Sequence, residues 1–139
     1  MSIYVIDASA WLRLFLHDGP ALPFLEQAAC DVERGSASFA APDLVLVEAG
    51  HALLRKMRRR QIREHEWRGI WDDMRRVPID LVSSEDHMDE AFALAIEHNL
   101  SVYDALYLAV SRHAGAWLFT ADDALAAAAR LAGVHPRDL

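Results

Sequence analysis

Four short apolar runs, set between longer stretches of helical periodicity, decide what this chain can fold into. Residues 3–6, 38–41, 79–82 and 117–119 are too short to be buried helices. The first, Ile-Tyr-Val-Ile, is β-rich and apolar at every position, the pattern of a strand covered on both faces. Short buried strands that alternate with helices predict an α/β domain on a parallel sheet. A helix is expected over 9–16, with Ser9 as N-cap and Asp18-Gly19-Pro20 as its stop, and another over 23–32, closing near Gly35. Asp43 is expected to cap a helix reaching about Arg59, with Leu46, Leu53 and Met57 on one face. A partner helix over 63–76 carries the stripe Trp67, Ile70, Trp71, Met74 and ends at Pro78. Ser84 should cap a helix over 85–98 with Asn99 behind it, and Met88, Phe92, Leu94, Ala95 and Ile96 are available for burial. Helices over 102–112 and 123–131 follow, the last stopping at Gly133, with Val134 as a further edge strand.

The 139 residues fit one domain, 1–139, with no repeat or linker. A domain of that size buries roughly two-thirds of its unfolded surface, so neither disulfides nor a structural metal is needed for folding. The single cysteine, Cys30, excludes an internal disulfide and reads as a small buried hydrophobe. Asp7 interrupts the first apolar run and no basic leader precedes it, so no signal peptide is expected. No uncharged stretch approaches the roughly 18 residues of a membrane span. A cytoplasmic protein is the expectation.

Within that frame four carboxylates sit where carboxylates are costly. Asp7 ends the first apolar run, and Glu48 lies inside Leu44-Val45-Leu46-Val47-Glu48-Ala49. Asp104 lies within Ser101-Val102-Tyr103-Asp104-Ala105-Leu106-Tyr107, and Asp122 follows Trp117-Leu118-Phe119-Thr120-Ala121. Buried acids are paired or bind metal, and in open α/β sheets ligands bind beyond the carboxyl ends of strands. Oxygen donors without Cys or neighbouring His favour Mg2+ or Mn2+ over zinc. Each acid also has a plainer role. Asp104 completes a capping box with Ser101, Asp122 and Asp123 suit a helix N-terminus, Asp7 suits a turn, and Glu48 can pair with His51 or Arg55.

The segments carrying these acids resemble, in order, the motifs of the PIN-domain family, and within it the VapC-type toxins of bacterial toxin–antitoxin systems. Val5-Ile6-Asp7-Ala8-Ser9-Ala10 is similar to the family's first strand and acid. Pro42 through Glu48 resembles its second motif, residues 101–109 its most distinctive segment, and Leu118-Phe119-Thr120-Ala121-Asp122 its last. The resemblance implies a three-layer α/β/α fold with a short-stranded, mainly parallel central sheet and a protruding helical pair. It implies an Mg2+- or Mn2+-dependent endoribonuclease hydrolysing phosphodiesters with metal-activated water, inhibited by a cognate VapB-type antitoxin and commonly homodimeric. Asp7, Glu48, Asp104 and Asp122 carry over as the catalytic, metal-binding set, with Ser9 and Thr120 as hydroxyls that orient them. Asp123 offers a competing fourth acid. The alternatives are a non-catalytic PIN-like RNA- or protein-binding module and a housekeeping nuclease that processes ribosomal RNA.

The net charge of −7 hides a strong asymmetry. Nine of the 14 basic residues fall between Arg55 and Arg76. Such a run is either a solvated helix face or a polyanion-binding arm. With an RNA substrate implied, Arg55, Arg58, Arg59 and Arg63 become candidates for phosphate contacts, or for holding the antitoxin. No Gly-rich phosphate loop precedes Lys56, and neither a G-x-S-x-G elbow nor an H-E-x-x-H pair occurs.

Overall fold

The N-terminal apolar run forms an inner strand of a fully parallel sheet, in a computed structural model that describes residues 2–17 and 19–134. The strands are β1 (Ser2–Ile6), β2 (Ala37–Pro42), β3 (Ile79–Val82) and β4 (Trp117–Phe119), in the order β3-β2-β1-β4. Tyr4 lies opposite Phe39 on one side and Trp117 on the other. One sheet face therefore presents Tyr4, Phe39 and Phe119 together, with Tyr4 and Phe119 edge to face at 5.4 Å between centroids. Val5, Ile6, Leu118 and Phe119 are completely buried, which explains why these strands read as unbroken apolar runs. β3 and β4 are the edge strands; on β3 the exposed Asp80 and the preceding Pro78 hinder further pairing.

The helices are α1 (Ala8–Arg13), α2 (Leu25–Glu33), α3 (Val45–Arg58), α4 (Trp67–Arg76), α5 (Met88–His98), α6 (Val102–Ala114) and α7 (Asp123–Leu131). Parallel crossovers are right-handed. From β1 to β2 to β3 the chain steps one way along the sheet, and from β3 to β4 it returns past β1. Helices α1 to α4 therefore cover one face and α5 and α6 the other, giving three α/β/α layers. α3 and α4 form the helical pair. Trp11, 2% exposed, joins α1 to it by donating its indole N–H to the Met74 carbonyl at 3.2 Å. No described helix is long and apolar enough to cross a membrane.

Several local expectations are corrected. α1 starts at Ala8 because Asp7, not Ser9, is its N-cap, and it ends at Arg13 rather than at 16. Of the expected stop, Asp18 lies outside the described residues. Asp43 does not cap α3, whose cap position is Leu44 without a side-chain bond. Instead Asp43 accepts the Ser84 hydroxyl at 2.5 Å and the Ser84 N–H at 3.3 Å, so Ser84 ties two loops together and does not cap α5. A short 3-10 turn, Glu64–Glu66, precedes α4, and another, Glu85–His87, precedes α5. On α5 only Ala91 and Leu94 are buried; Met88, Phe92 and Ile96 are exposed. Cys30 is exposed, and Val134 is buried behind α7 without forming a strand. Asn99 and Gly115 end α5 and α6 in the left-handed region, at φ 54° and 60°, as C-capping residues do.

Candidate active site

Between β1 and β4 the crossovers reverse direction, and an open α/β sheet has its crevice at that point, beyond the carboxyl ends of the strands. All four sequence-predicted acids line one cleft there, of about 470 Å³. Asp7 follows β1 directly, and its N–H donates to the Phe119 carbonyl at 3.2 Å, which extends the pairing with β4 by one residue. Its carboxylate caps α1, accepting Ala10 N–H at 2.8 Å and the Ser9 hydroxyl at 2.7 Å. The Ser9 oxygen accepts in turn from Ala121 N–H at 2.9 Å. Thr120, buried, bonds the Asp7 carboxylate and accepts Asp122 N–H at 3.0 Å. Ser9 and Thr120 thus stand beside the acids that the sequence assigned them to orient.

Asp122 is the N-cap of α7, accepting Leu125 N–H at 3.0 Å, and it lines the cleft; Asp123 begins the helix and does not. Asp104 stands in the first turn of α6, its N–H donating to the Ser101 hydroxyl at 3.1 Å. The capping roles of Asp104's segment and of Asp122 are therefore real, and they fix the acids at the rim of the cleft. Glu48, in the first turn of α3, takes no ion pair with His51 or Arg55 among the described residues. It accepts the Tyr107 hydroxyl at 2.7 Å.

The electrostatics follow from this crowding. Asp7, only 6% exposed, has its pKa pushed up to about 6, mainly by burial and a little by Asp104, against the pull of its bonds from Thr120, Ala10 and Ser9. Glu48 is raised by burial and by Asp104, with Tyr107 opposing. Asp104 is raised by burial and by Asp122, with Ser101 opposing. Burial and the adjacent Glu48 push the Tyr107 phenol far above its ordinary range, so it stays a donor.

Repulsion of this kind is what a divalent cation relieves. No three described side chains converge as ligands of a single ion. Mg2+ does not require such a cage: it keeps several waters and takes one or two carboxylates, with substrate phosphates completing its shell. Four oxygen-only donors without a thiolate suit such an ion, and Asp7, Glu48, Asp104 and Asp122 are the residues that could hold it.

Basic residues line the same cleft beside the acids. Of the arginines proposed for RNA, only Arg55 lines it. Arg58, Arg59 and Arg63 lie farther along the arm and are exposed, with Arg63 paired to Glu66 at 3.9 Å. Arg13, His51 and Lys56 line the cleft as well and were not singled out by sequence. The spacing Glu48–Ala52–Arg55 places Arg55 on the face of α3 that carries Glu48, and was the available signal for its neighbours. On the other side of α3 a second, apolar groove of about 390 Å³ is lined by Gly50, Leu53, Leu54, Met57, Trp67 and Trp71.

The family model of the PIN domain matches residues 4–131. The chain belongs to the PIN-domain family. It is 31% identical over 126 residues to Ribonuclease VapC3 of Pyrobaculum aerophilum, which covers 88% of this PIN domain and 91% of the relative. The crystal structure of PAE2754 from Pyrobaculum aerophilum superposes with a TM-score of 0.68 at 25% identity, over 91% of this chain and 86% of that one. Mycobacterium tuberculosis VapC20, a sarcin-ricin loop cleaving toxin, superposes at 0.59 with 20% identity, over 91% and 95%; at that identity the likeness is one of fold. The matched region of the PIN domain contains all four acids and the basic residues of the cleft.

Proposed function

We propose that this PIN domain is an Mg2+- or Mn2+-dependent endoribonuclease, the toxin partner of a VapB-type antitoxin, acting on cytoplasmic RNA. The observation that carries the reading is the cleft at the sheet's switch point that Asp7, Glu48, Asp104 and Asp122 line together with Arg13, Arg55 and Lys56. The 31% identity to a relative named a ribonuclease supports it. When bound, a divalent ion at these carboxylates activates water and neutralises phosphate charge. The chain's own residues supply the rest. Ser9 and Thr120 hold the Asp7 carboxylate in place, and the helix caps at Asp7, Ser101 and Asp122 fix the positions from which the acids act. Arg55 places a phosphodiester against the acids, since guanidinium–phosphate contacts position RNA without reading its sequence.

The apolar α3–α4 groove supports the antitoxin as partner, because it is distinct from the cleft and has the helix-in-groove chemistry of a protein ligand. A homodimer belongs to the same reading; the exposed stripe Met88, Phe92 and Ile96 of α5 supports it. The purified protein should cleave RNA when Mg2+ or Mn2+ is added, and Asp104→Asn should abolish cleavage. Undiminished cleavage by that variant, or in excess chelator, refutes the proposal; RNA binding without cleavage would mark a non-catalytic module.

A further inference from the structure

Three of the four acids in the cleft are short aspartates anchored to backbone caps. Asp7 and Asp122 are themselves N-caps, and Asp104 is bonded through its own N–H to Ser101. Glu48 differs. Its carboxylate stands one methylene farther from the backbone, and among the described residues no backbone N–H bonds it. What holds it is the phenol of Tyr107 at 2.7 Å, fifty-nine residues away in sequence. Tyr107 lies three residues beyond Asp104 on α6, so both point to the same side of that helix. Its ring is 1% exposed and packed in the core, which leaves the hydroxyl little freedom. The bond joins α3, from one helical layer, to α6, from the other, across the mouth of the sheet.

A carboxylate only accepts, so the phenol donates to Oε1 of Glu48, a residue that lines the cleft, and Oε2 takes no part in that bond. We propose that Tyr107 is a positioning residue for Glu48: its fixed hydroxyl selects which carboxylate oxygen is offered to the divalent ion and holds Glu48 in place beside the like-charged Asp104. Like other groups that orient metal ligands through a hydrogen bond, it acts through metal affinity rather than by touching RNA. The inference rests on the proposed metal-dependent function.

The test is Mn2+ binding by isothermal titration calorimetry to the RNA-free protein. Tyr107→Phe should weaken Mn2+ binding by about 10- to 100-fold, and raising Mn2+ should restore cleavage. In a Glu48→Gln background the same change should alter binding by less than about twofold, because the two residues act as one unit. Wild-type binding with a Tyr107→Phe variant within about twofold of it overturns the inference alone, as does an equal loss in both backgrounds. Absence of Mn2+ binding by the wild type overturns the metal reading and this inference with it. If the Phe variant loses its near-UV circular dichroism, the wild-type chain labelled with 3-fluorotyrosine replaces it. Of three tyrosines, Tyr4 and Tyr103 are assigned by substitution with Phe. Mg2+ should then shift the Tyr107 fluorine resonance in the wild type and leave it unmoved in Glu48→Gln; a resonance that ignores Mg2+, or moves equally in both, overturns the inference.

Discussion

Asp7→Asn separates the two things that Asp7 does. Asn is nearly isosteric and keeps an oxygen to accept Ala10 N–H and the Ser9 hydroxyl, so the cap on α1 survives. What disappears is a buried charge. The folded pKa of about 6 stands above the 3.8 of an unperturbed Asp, so Asp7 favours folding only while protonated. Its contribution is fully present below pH 3.8 and is lost as the pH rises through 6. A gap of about 2 pKa units corresponds to about 3 kcal/mol at 1.36 kcal/mol per unit. Asn returns about 1 kcal/mol of that, because Thr120 must rearrange to accept from the new amide. The metal-free variant should therefore be more stable than the wild type at pH 8 by about 2 kcal/mol, or roughly 6–10 °C in Tm for a domain of this length. At pH 4 the advantage should be absent. Thermal unfolding of both proteins in chelator between pH 4 and 8 measures the difference, which cancels every other titrating group. A difference that stays flat with pH, or an Asn variant less stable at pH 8, would refute the buried-charge argument. Saturating Mg2+ should reverse the order, since at about 100 times Kd a ligand adds about 2.7 kcal/mol to the protein that binds it.

Arg55→Ala should weaken RNA binding similarly for all sequences and lower the salt dependence by about one counterion, whereas Arg63→Ala, outside the cleft and paired to Glu66, should change neither; equal losses in a filter-binding salt series would remove Arg55 from its special place. Gly50→Leu should block antitoxin binding while leaving cleavage kinetics intact, because an added Cβ there meets Trp71 at an ordinary 3.6 Å and the larger side chain occupies the apolar groove that Gly50 lines; pull-down alongside an RNA cleavage assay checks both halves. Met74→Ala, at the completely buried position of α4, should destabilise by about 2–5 kcal/mol in urea.

The parallel sheet and the four acids were legible because each rests on a local pattern: unbroken apolar runs for strands covered twice, and carboxylates embedded in such runs. Competition among local options was not legible. Asp7 and Ser9 are both good N-caps, and the choice falls to Asp7 because its N–H pairs with β4, a contact across more than a hundred residues. Asp43 has the chemistry of a cap but meets Ser84 instead. Periodicity also cannot choose between two apolar faces of one helix, so α5 buries Ala91 and Leu94 and leaves Met88, Phe92 and Ile96 outside. Tyr107 reads as core in sequence, and is core; its hydroxyl acquires a partner only when α3 arrives. The basic run is longer than the cleft: α3 carries Arg55 and Lys56 along it, while Arg58 and Arg59 lie beyond its lining.

The pairing of residue 7 with residue 119 has a consequence for biosynthesis. The cleft draws its acids from opposite ends of the chain: Asp7 is among the first residues made, while Asp104 and Asp122 come in the last third. β4 is the last strand translated and lies beside the first, so a ribosome-bound intermediate can complete β1, β2 and β3 and still lack half the carboxylates. The cleft therefore cannot form until the closing strand is inserted, and on the proposed function a nascent or prematurely terminated chain would lack its activity.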